Sequence, residues 1–182
     1  MLKALLSLSA LTLSSFVMAA GPVPQTVKQI DLDQFAGRWY EVASSRPAAQ
    51  RDCACTTVDY SLLAPNEVKI VKSCRRGGVD GPLLFTESLA TVGSSPAKFK
   101  VSFSDYQGAD KGAFASSWVV DLADDYRYVV LSNSLRNPIF VLSRSPELAA
   151  DDLTAIRSHL QKDGFNLLQV KATDHASCTY TE

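Results

Sequence analysis

The chain has 182 residues, 46% of them hydrophobic and 20% charged, with 18 basic against 19 acidic side chains and a formal net charge of -1. That length fits one ordinary domain, and the composition excludes disordered and fibrous classes. The balanced charge lacks the basic excess that phosphate backbones require, which argues against nucleic acid as a partner.

The first twenty residues, MLKALLSLSALTLSSFVMAA, begin with one Lys, continue as a Leu/Ala/Ser run and end in small residues. This is the pattern of a secretory signal peptide over 1–20, cleaved after Ala19 or Ala20. Ser and Thr interrupt the run, which falls short of the ~20 strongly apolar residues of a membrane span. The first Cys is Cys53, so no lipid-bearing residue stands at the cleavage point. Residues 21–182 are expected to form a single, soluble, exported domain.

After a Pro-bearing leader, IDLDQF suits one short helical turn capped by Asp31. Strand-like runs rich in Val, Tyr, Phe and Thr then recur between turn residues. They lie at about 39–44, 55–63, 67–74, 83–92, 98–103, 117–122, 126–134 and 139–145. The spacing predicts an all-β antiparallel meander, sandwich or barrel. In KFKVSF, Phe99, Val101 and Phe103 share one side while Lys98, Lys100 and Ser102 share the other. In EVKIVKS, Val68 and Ile70 oppose Glu67 and Lys69. Such strands have one dry and one wet face. YVVLS and IFVLS do not alternate cleanly, so both of their faces should be covered.

SPELAADDLTAIRSHLQKDG, 145–164, supplies a helix to cover them. Ser145 suits its cap, Pro146 its first position, and Glu147 its positive end. Leu153, Ile156 and Leu160 recur at spacings of three and four, and Gly164 stops the run, with Phe165 folding back. A final strand, LLQVKAT, and a tail bearing Cys178 complete the chain. Eight meandering strands make a barrel wide enough for one small ligand, and closure removes the exposed edges.

Four cysteines, Cys53, Cys55, Cys74 and Cys178, suit two disulfides in an exported chain, with three connectivities open. The pair spacing Cys-x-Cys fits zinc knuckles poorly, so no metal or cofactor is expected. His159 and His175 are expected to be solvated. No G-x-S-x-G, H-E-x-x-H, P-loop or G-x-G-x-x-G is present. Glu41 and Glu87 are the strand carboxylates with a chance of pointing inward, which is weak support for catalysis.

Three features occur together in order: Gly37-x-Trp39 within GRWYEVA; Asp124-Asp125-Tyr126-x-Tyr128-Val129-Val130; and Arg144 in FVLSRSPEL. With them the mature chain resembles the lipocalin family, and its strands are similar to those of bacterial members related to apolipoprotein D. Asp124 stands where that family usually has Thr. The resemblance implies an eight-stranded antiparallel up-and-down barrel, with the C-terminal helix packed outside and a short ninth strand. It implies that Gly37, Trp39, Asp125, Tyr126 and Arg144 are structural. Trp39 would close the barrel floor, Arg144 would stack across it, and Gly37 would admit close chain approach. It favours Cys55–Cys178, leaving Cys53–Cys74, although the hairpin at Pro65-Asn66 brings Cys74 near both partners and leaves the swapped pairing open.

The same resemblance implies a binding protein, not an enzyme, with a hydrophobic small molecule such as a fatty acid or lysophospholipid as ligand. Cavity candidates are Tyr40, Val68, Ile70, Phe85, Phe99, Val101, Phe103 and Trp118, with Tyr60 at the margin. Arg75, Arg76 and Lys111 are candidates for an anionic head group at the open end. Localisation would be periplasmic or secreted, with peripheral contact to an outer membrane open. Two alternatives remain: a protein-binding barrel such as an exported protease inhibitor, using the loop 104–116, and an isomerase using a free Cys53 or Cys55 thiol.

Overall fold

The structure is a computed structural model that describes residues 23–93, 95–103 and 114–180. The signal-like segment 1–20 lies outside them. A four-residue helix, α1 (Leu32–Phe35), enters the barrel, and Asp31 caps it by accepting from the Asp33 and Gln34 amides at 2.9 and 3.3 Å. The cap satisfies two of the orphan N–H groups of so short a helix. It also delivers Phe35, 1% exposed, to the barrel floor.

Eight strands follow: β1 (Gly37–Ser44), β2 (Cys53–Ala64), β3 (Glu67–Arg76), β4 (Leu83–Val92), β5 (Lys98–Ser102), β6 (Phe114–Leu122), β7 (Tyr128–Ser132) and β8 (Phe140–Ser143). Each pairs antiparallel with the next, β8 pairs with β1, and β1 pairs back to β2, which closes the barrel. Gly37 has φ +94°, a conformation that favours glycine. An added Cβ would meet only Arg144 Nη1 at 3.5 Å. The glycine is therefore required by its backbone conformation; the close chain approach expected from the resemblance is not what demands it.

Two hydrophobic clusters lie on opposite sides of the sheet. The inner one contains Trp39, Val58, Tyr60, Val68, Phe99, Val129 and Leu142. The outer one joins Val120, Tyr128, Val130 and Val141 to Ile156 and Leu160 of α2 (Ala150–Lys162). This explains the unbroken apolar run of β7, all five residues of which are buried. The helix begins later than Ser145-Pro146-Glu147 suggests. The Ser145 hydroxyl instead donates to the Glu147 carbonyl, holding that stretch as a turn, and Asp151 and Asp152 occupy the first helical turn. Leu153 of the expected apolar stripe is 40% exposed. Gly164, at φ +77°, ends the helix, and the Phe165 amide donates back to the Leu160 carbonyl at 2.9 Å.

The C-terminal tail completes the wall. β9 is only Lys171–Ala172, and it pairs with β1 at Ala43 and Ser44. Further along, the Thr173 amide donates to the Val42 carbonyl, and the Cys55 amide donates to the Asp174 carbonyl. The tail thus occupies the seam where the upper ends of β1 and β2 separate. Two disulfides hold this region: Cys55–Cys178 staples the tail to β2, and Cys53–Cys74 ties β2 to β3.

Candidate ligand-binding site

The barrel has a sealed floor. Phe35 stacks within 5.4 Å of Trp39, 4.9 Å of Tyr60 and 5.6 Å of Phe99, measured between ring centres. The Trp39 indole N–H donates to the Phe35 carbonyl at 2.8 Å. Outside this layer the Arg144 guanidinium lies 3.7 Å from the Trp39 ring centre. It also donates to the carbonyls of Arg38, Phe35 and Gln34. Tyr126 accepts the Asp31 amide at 2.7 Å, which ties the β6–β7 turn to α1. Asp125 accepts from Arg127, whose guanidinium also reaches Asp152 of α2 at 2.7 Å. Gly37, Trp39, Asp125, Tyr126 and Arg144 therefore sit in the closed end and its fastenings.

Strand parity decides which candidates line the interior. Val68, Phe99 and Val101 are buried in the inner cluster, and Ile70 and Phe103 pack against it while keeping partial exposure. Tyr60 belongs to the floor. Three candidates face outward instead. Tyr40 pairs with Thr57 on the face opposite Trp39, and its ring packs 4.9 Å from Tyr180 of the tail. Trp118 packs on the outer cluster with Lys98 Nζ 3.9 Å from its ring centre, while neighbouring Val119 turns inward. Phe85 is 68% exposed because Ser88 and Ala90 set the inward parity of β4. Glu87 shares Phe85's parity and pairs with Lys69 at 2.9 Å.

Of the head-group candidates, Arg75 and Arg76 end β3 at the open end of the barrel. Arg75 donates to the Gly81 carbonyl at 3.1 Å and lines a small outer cleft with Thr57, Ser73 and Leu83; Arg76 is exposed. Lys111 lies outside the described residues, as does most of the loop 104–116. His159 is exposed, as expected. His175 is only partly exposed and is engaged with its surroundings: its Nε2 bonds the Glu41 carbonyl at 2.8 Å and its Nδ1 bonds the Tyr180 hydroxyl.

The interior also holds an ion pair. Lys72 Nζ donates to Glu41 Oε2 at 2.6 Å, with side-chain exposures of 19% and 3%. Lys72 has the parity of Val68 and Ile70, and Glu41 that of Trp39, so alternation alone points both inward. The Lys72 ammonium also lies 4.5 Å from the ring centre of Phe140, another partly buried neighbour of the inner cluster. Burial pushes the Lys72 amine below its ordinary range, with the Glu41 charge and hydrogen bond opposing that shift. Burial, with Glu41 nearby, pushes the Tyr60 phenol well up. Beside the pair, Thr173 of the tail reaches Glu41 Oε1 at 3.4 Å.

Exposure differs along the barrel wall. Trp39, Phe35, Val68, Ala90 and Val129 are at most 1% exposed. Inward-facing Lys72, Phe103 and Phe140, nearer the open end, remain partly accessible, as does Ile70 at the level of the floor residue Tyr60. The interior thus combines a tightly packed aromatic floor with apolar walls and one largely buried ion pair. A separate apolar groove of about 660 Å³ lies outside the barrel, between α2 and the strands, lined by residues including Val42, Val141, Ile156 and Leu167. All four cysteines are paired. Among the described residues no group of His, Cys, Asp and Glu is arranged to hold a metal ion.

A family model described as a lipocalin-like domain matches residues 30–175. Apolipoprotein D of Rattus norvegicus is 26% identical over 174 residues, covering 90% of this chain and 87% of that protein. Temperature-induced lipocalin-1 of Arabidopsis thaliana is 21% identical over 162 residues, covering 82% and 81%. Among solved structures, insecticyanin from the tobacco hornworm Manduca sexta superposes with a TM-score of 0.66 at 18% identity, covering 89% of each chain.

Proposed function

This chain belongs to the lipocalin-like family, whose barrels bind small hydrophobic ligands, and we propose that it carries or stores a fatty acid or lysophospholipid in the cell envelope without catalysis. The observation that carries this reading is the interior itself: a sealed aromatic floor beneath inward-facing apolar residues, of which Phe103 and Phe140 toward the open end keep partial exposure. Enclosing an acyl chain there would stabilise the complex by ~0.8 kcal/mol per buried methylene before the costs of binding. Two disulfides suit an oxidising, exported setting. Among the described residues no helix is long and apolar enough to cross a membrane.

Titrating the purified protein with fatty acids and lysophospholipids tests the proposal. Saturable, stoichiometric uptake is the expected result, and no saturable uptake of either class would overturn it. Mass spectrometry of material extracted from natively purified protein would name the ligand. A thiol-dependent isomerase is disfavoured because every cysteine is engaged in a disulfide. A protein-binding barrel keeps one specific support, the exposed Leu83, Phe85 and Leu89 on the outside of β4. Uptake of lipid by the isolated protein, with no partner present, favours the transport reading over that one.

A further inference from the structure

The Glu41–Lys72 pair lies at the base of the accessible part of the barrel. Glu41 is two residues above the floor residue Trp39 on β1, which is roughly 6–7 Å along a strand. Below it the aromatic layer admits nothing. Ile70 lies one inward position below Lys72 on β3 and Phe140 packs against the Lys72 ammonium; both, like inward-facing Phe103, are partly accessible. A ligand entering from the open end therefore meets this pair at the limit of its travel. Thr56 precedes Thr57, the β2 residue that pairs with Tyr40 at the end of the β1–β2 register. Its side chain is 0% exposed, and its hydroxyl has no hydrogen-bond partner among the described residues.

We infer that this base selects amphiphiles whose inserted end is an uncharged oxygen group, such as an alcohol, ester or ketone, over ligands that insert a carboxylate. An ammonium has three N–H donors. One goes to Glu41 and the Phe140 ring lies over another side of the group, which leaves a donor for a ligand oxygen. The charge of Lys72 is already matched by Glu41. A ligand carboxylate would bring a second negative charge beside a carboxylate that is 3% exposed. Like charges in a shared buried site disfavour one another, and the ligand would also lose its hydration. A carbonyl or hydroxyl accepts the same N–H without either penalty.

This inference rests on the barrel being the ligand site, as proposed above, and refines which end chemistry it accepts. It is tested with one chain length and three ends: dodecanoic acid, dodecan-1-ol and methyl dodecanoate, titrated at neutral pH where the acid is ionised. The wild-type protein should bind the alcohol and ester at least about tenfold more tightly than the acid. Glu41→Gln strands the Lys72 charge and should reverse the order, with the acid gaining at least about tenfold. The double variant Glu41→Gln/Lys72→Met removes both charges and should prefer the neutral ends again. The wild-type series needs no variant to fold, so it decides the matter even if a substitution destabilises the barrel. Acid binding as tight as that of the neutral ligands overturns the inference while leaving the barrel reading intact. An order unchanged by Glu41→Gln also overturns it, since uptake would then be elsewhere, such as the groove under α2. No saturable uptake of any of the three overturns the barrel reading and this inference with it.

Discussion

Arg144 closes the barrel from beneath Trp39, with its guanidinium carbon 3.7 Å from the indole centre. The same group donates to three backbone carbonyls, those of Gln34, Phe35 and Arg38, so it fastens α1 to the start of β1. A cation–π contact of this kind contributes ~0.5–2 kcal/mol, and each hydrogen bond to a charged donor adds about 1.5–3 kcal/mol when it cannot be replaced by water. Arg144→Ala should therefore lower the melting temperature by several degrees and leave ligand preference unchanged in the protein that still folds. Arg144→Lys, which keeps the charge but loses the planar fork, should fall between the two. Calorimetry with a ligand titration checks this. Altered preference at full stability would contradict a purely structural role.

Inner and outer residues of similar chemistry should respond differently to the same substitution. Ile70 faces inward just above the floor, level with Tyr60, so Ile70→Trp should crowd the base of the barrel and weaken binding by at least about tenfold, the scale of a misfit in a packed pocket. Phe85 is 68% exposed on the outer face of β4, so Phe85→Ser should leave the same titration within about twofold, as surface changes do. Equal effects would mean that ligand uptake does not occur within the barrel.

Much of the fold is readable from periodicity, and the errors have a common cause. Alternation places Val68, Ile70, Phe99 and Val101 inside without help from any relative. It also places Tyr40 and Trp118 outside, yet large aromatic rings invite an inward assignment because burial is assumed to mean the interior. Here the outside is covered as well: the tail packs on Tyr40 and the outer cluster packs on Trp118. Phe85 has no such cover and is simply an exposed aromatic. Lys72 escapes notice for the opposite reason. A lysine is assigned to the wet face by its charge, although its parity matches Ile70 and its partner Glu41 waits on the far side of β2. The seam filled by residues 171–174 depends on where β1 and β2 part, a long-range relationship with no local signal.

The two disulfides should not contribute equally. Cys53–Cys74 spans 21 residues and Cys55–Cys178 spans 123. If loop closure of the unfolded chain dominates, the longer bridge contributes more by about 1.5 kcal/mol. It also anchors the tail whose backbone bonds complete the wall at Val42 and Cys55. The double variant Cys55→Ser/Cys178→Ser should therefore have the lower denaturation midpoint, compared with Cys53→Ser/Cys74→Ser. It should also show faster hydrogen exchange in residues 171–174. Equal midpoints and unchanged exchange would show that the tail is held by its other contacts alone.

Stability at alkaline pH follows from three buried or half-buried phenols. Burial is the largest cause in each case: it pushes Tyr60 far up, raises Tyr128, and pushes Tyr180 up to about 12. A phenol whose folded value is raised holds its proton more tightly in the native state. Its stabilisation is complete below the ordinary tyrosine value near 10 and is lost as pH rises through the folded value. Lys72 acts in the opposite sense, because its folded value is depressed. It adds stability as pH climbs toward the ordinary lysine value of 10.5, and nothing beyond. Above that point the tyrosines act unopposed by Lys72. The denaturant midpoint should therefore fall steadily from about pH 10 to pH 12. Phenolate absorbance should show Tyr60, Tyr128 and Tyr180 ionising only well above pH 10 while the chain stays folded. Tyr60→Phe removes the phenol raised furthest, so it should flatten the decline while leaving the midpoint at neutral pH little changed. An unaltered slope in that variant would place the alkaline sensitivity outside the barrel floor.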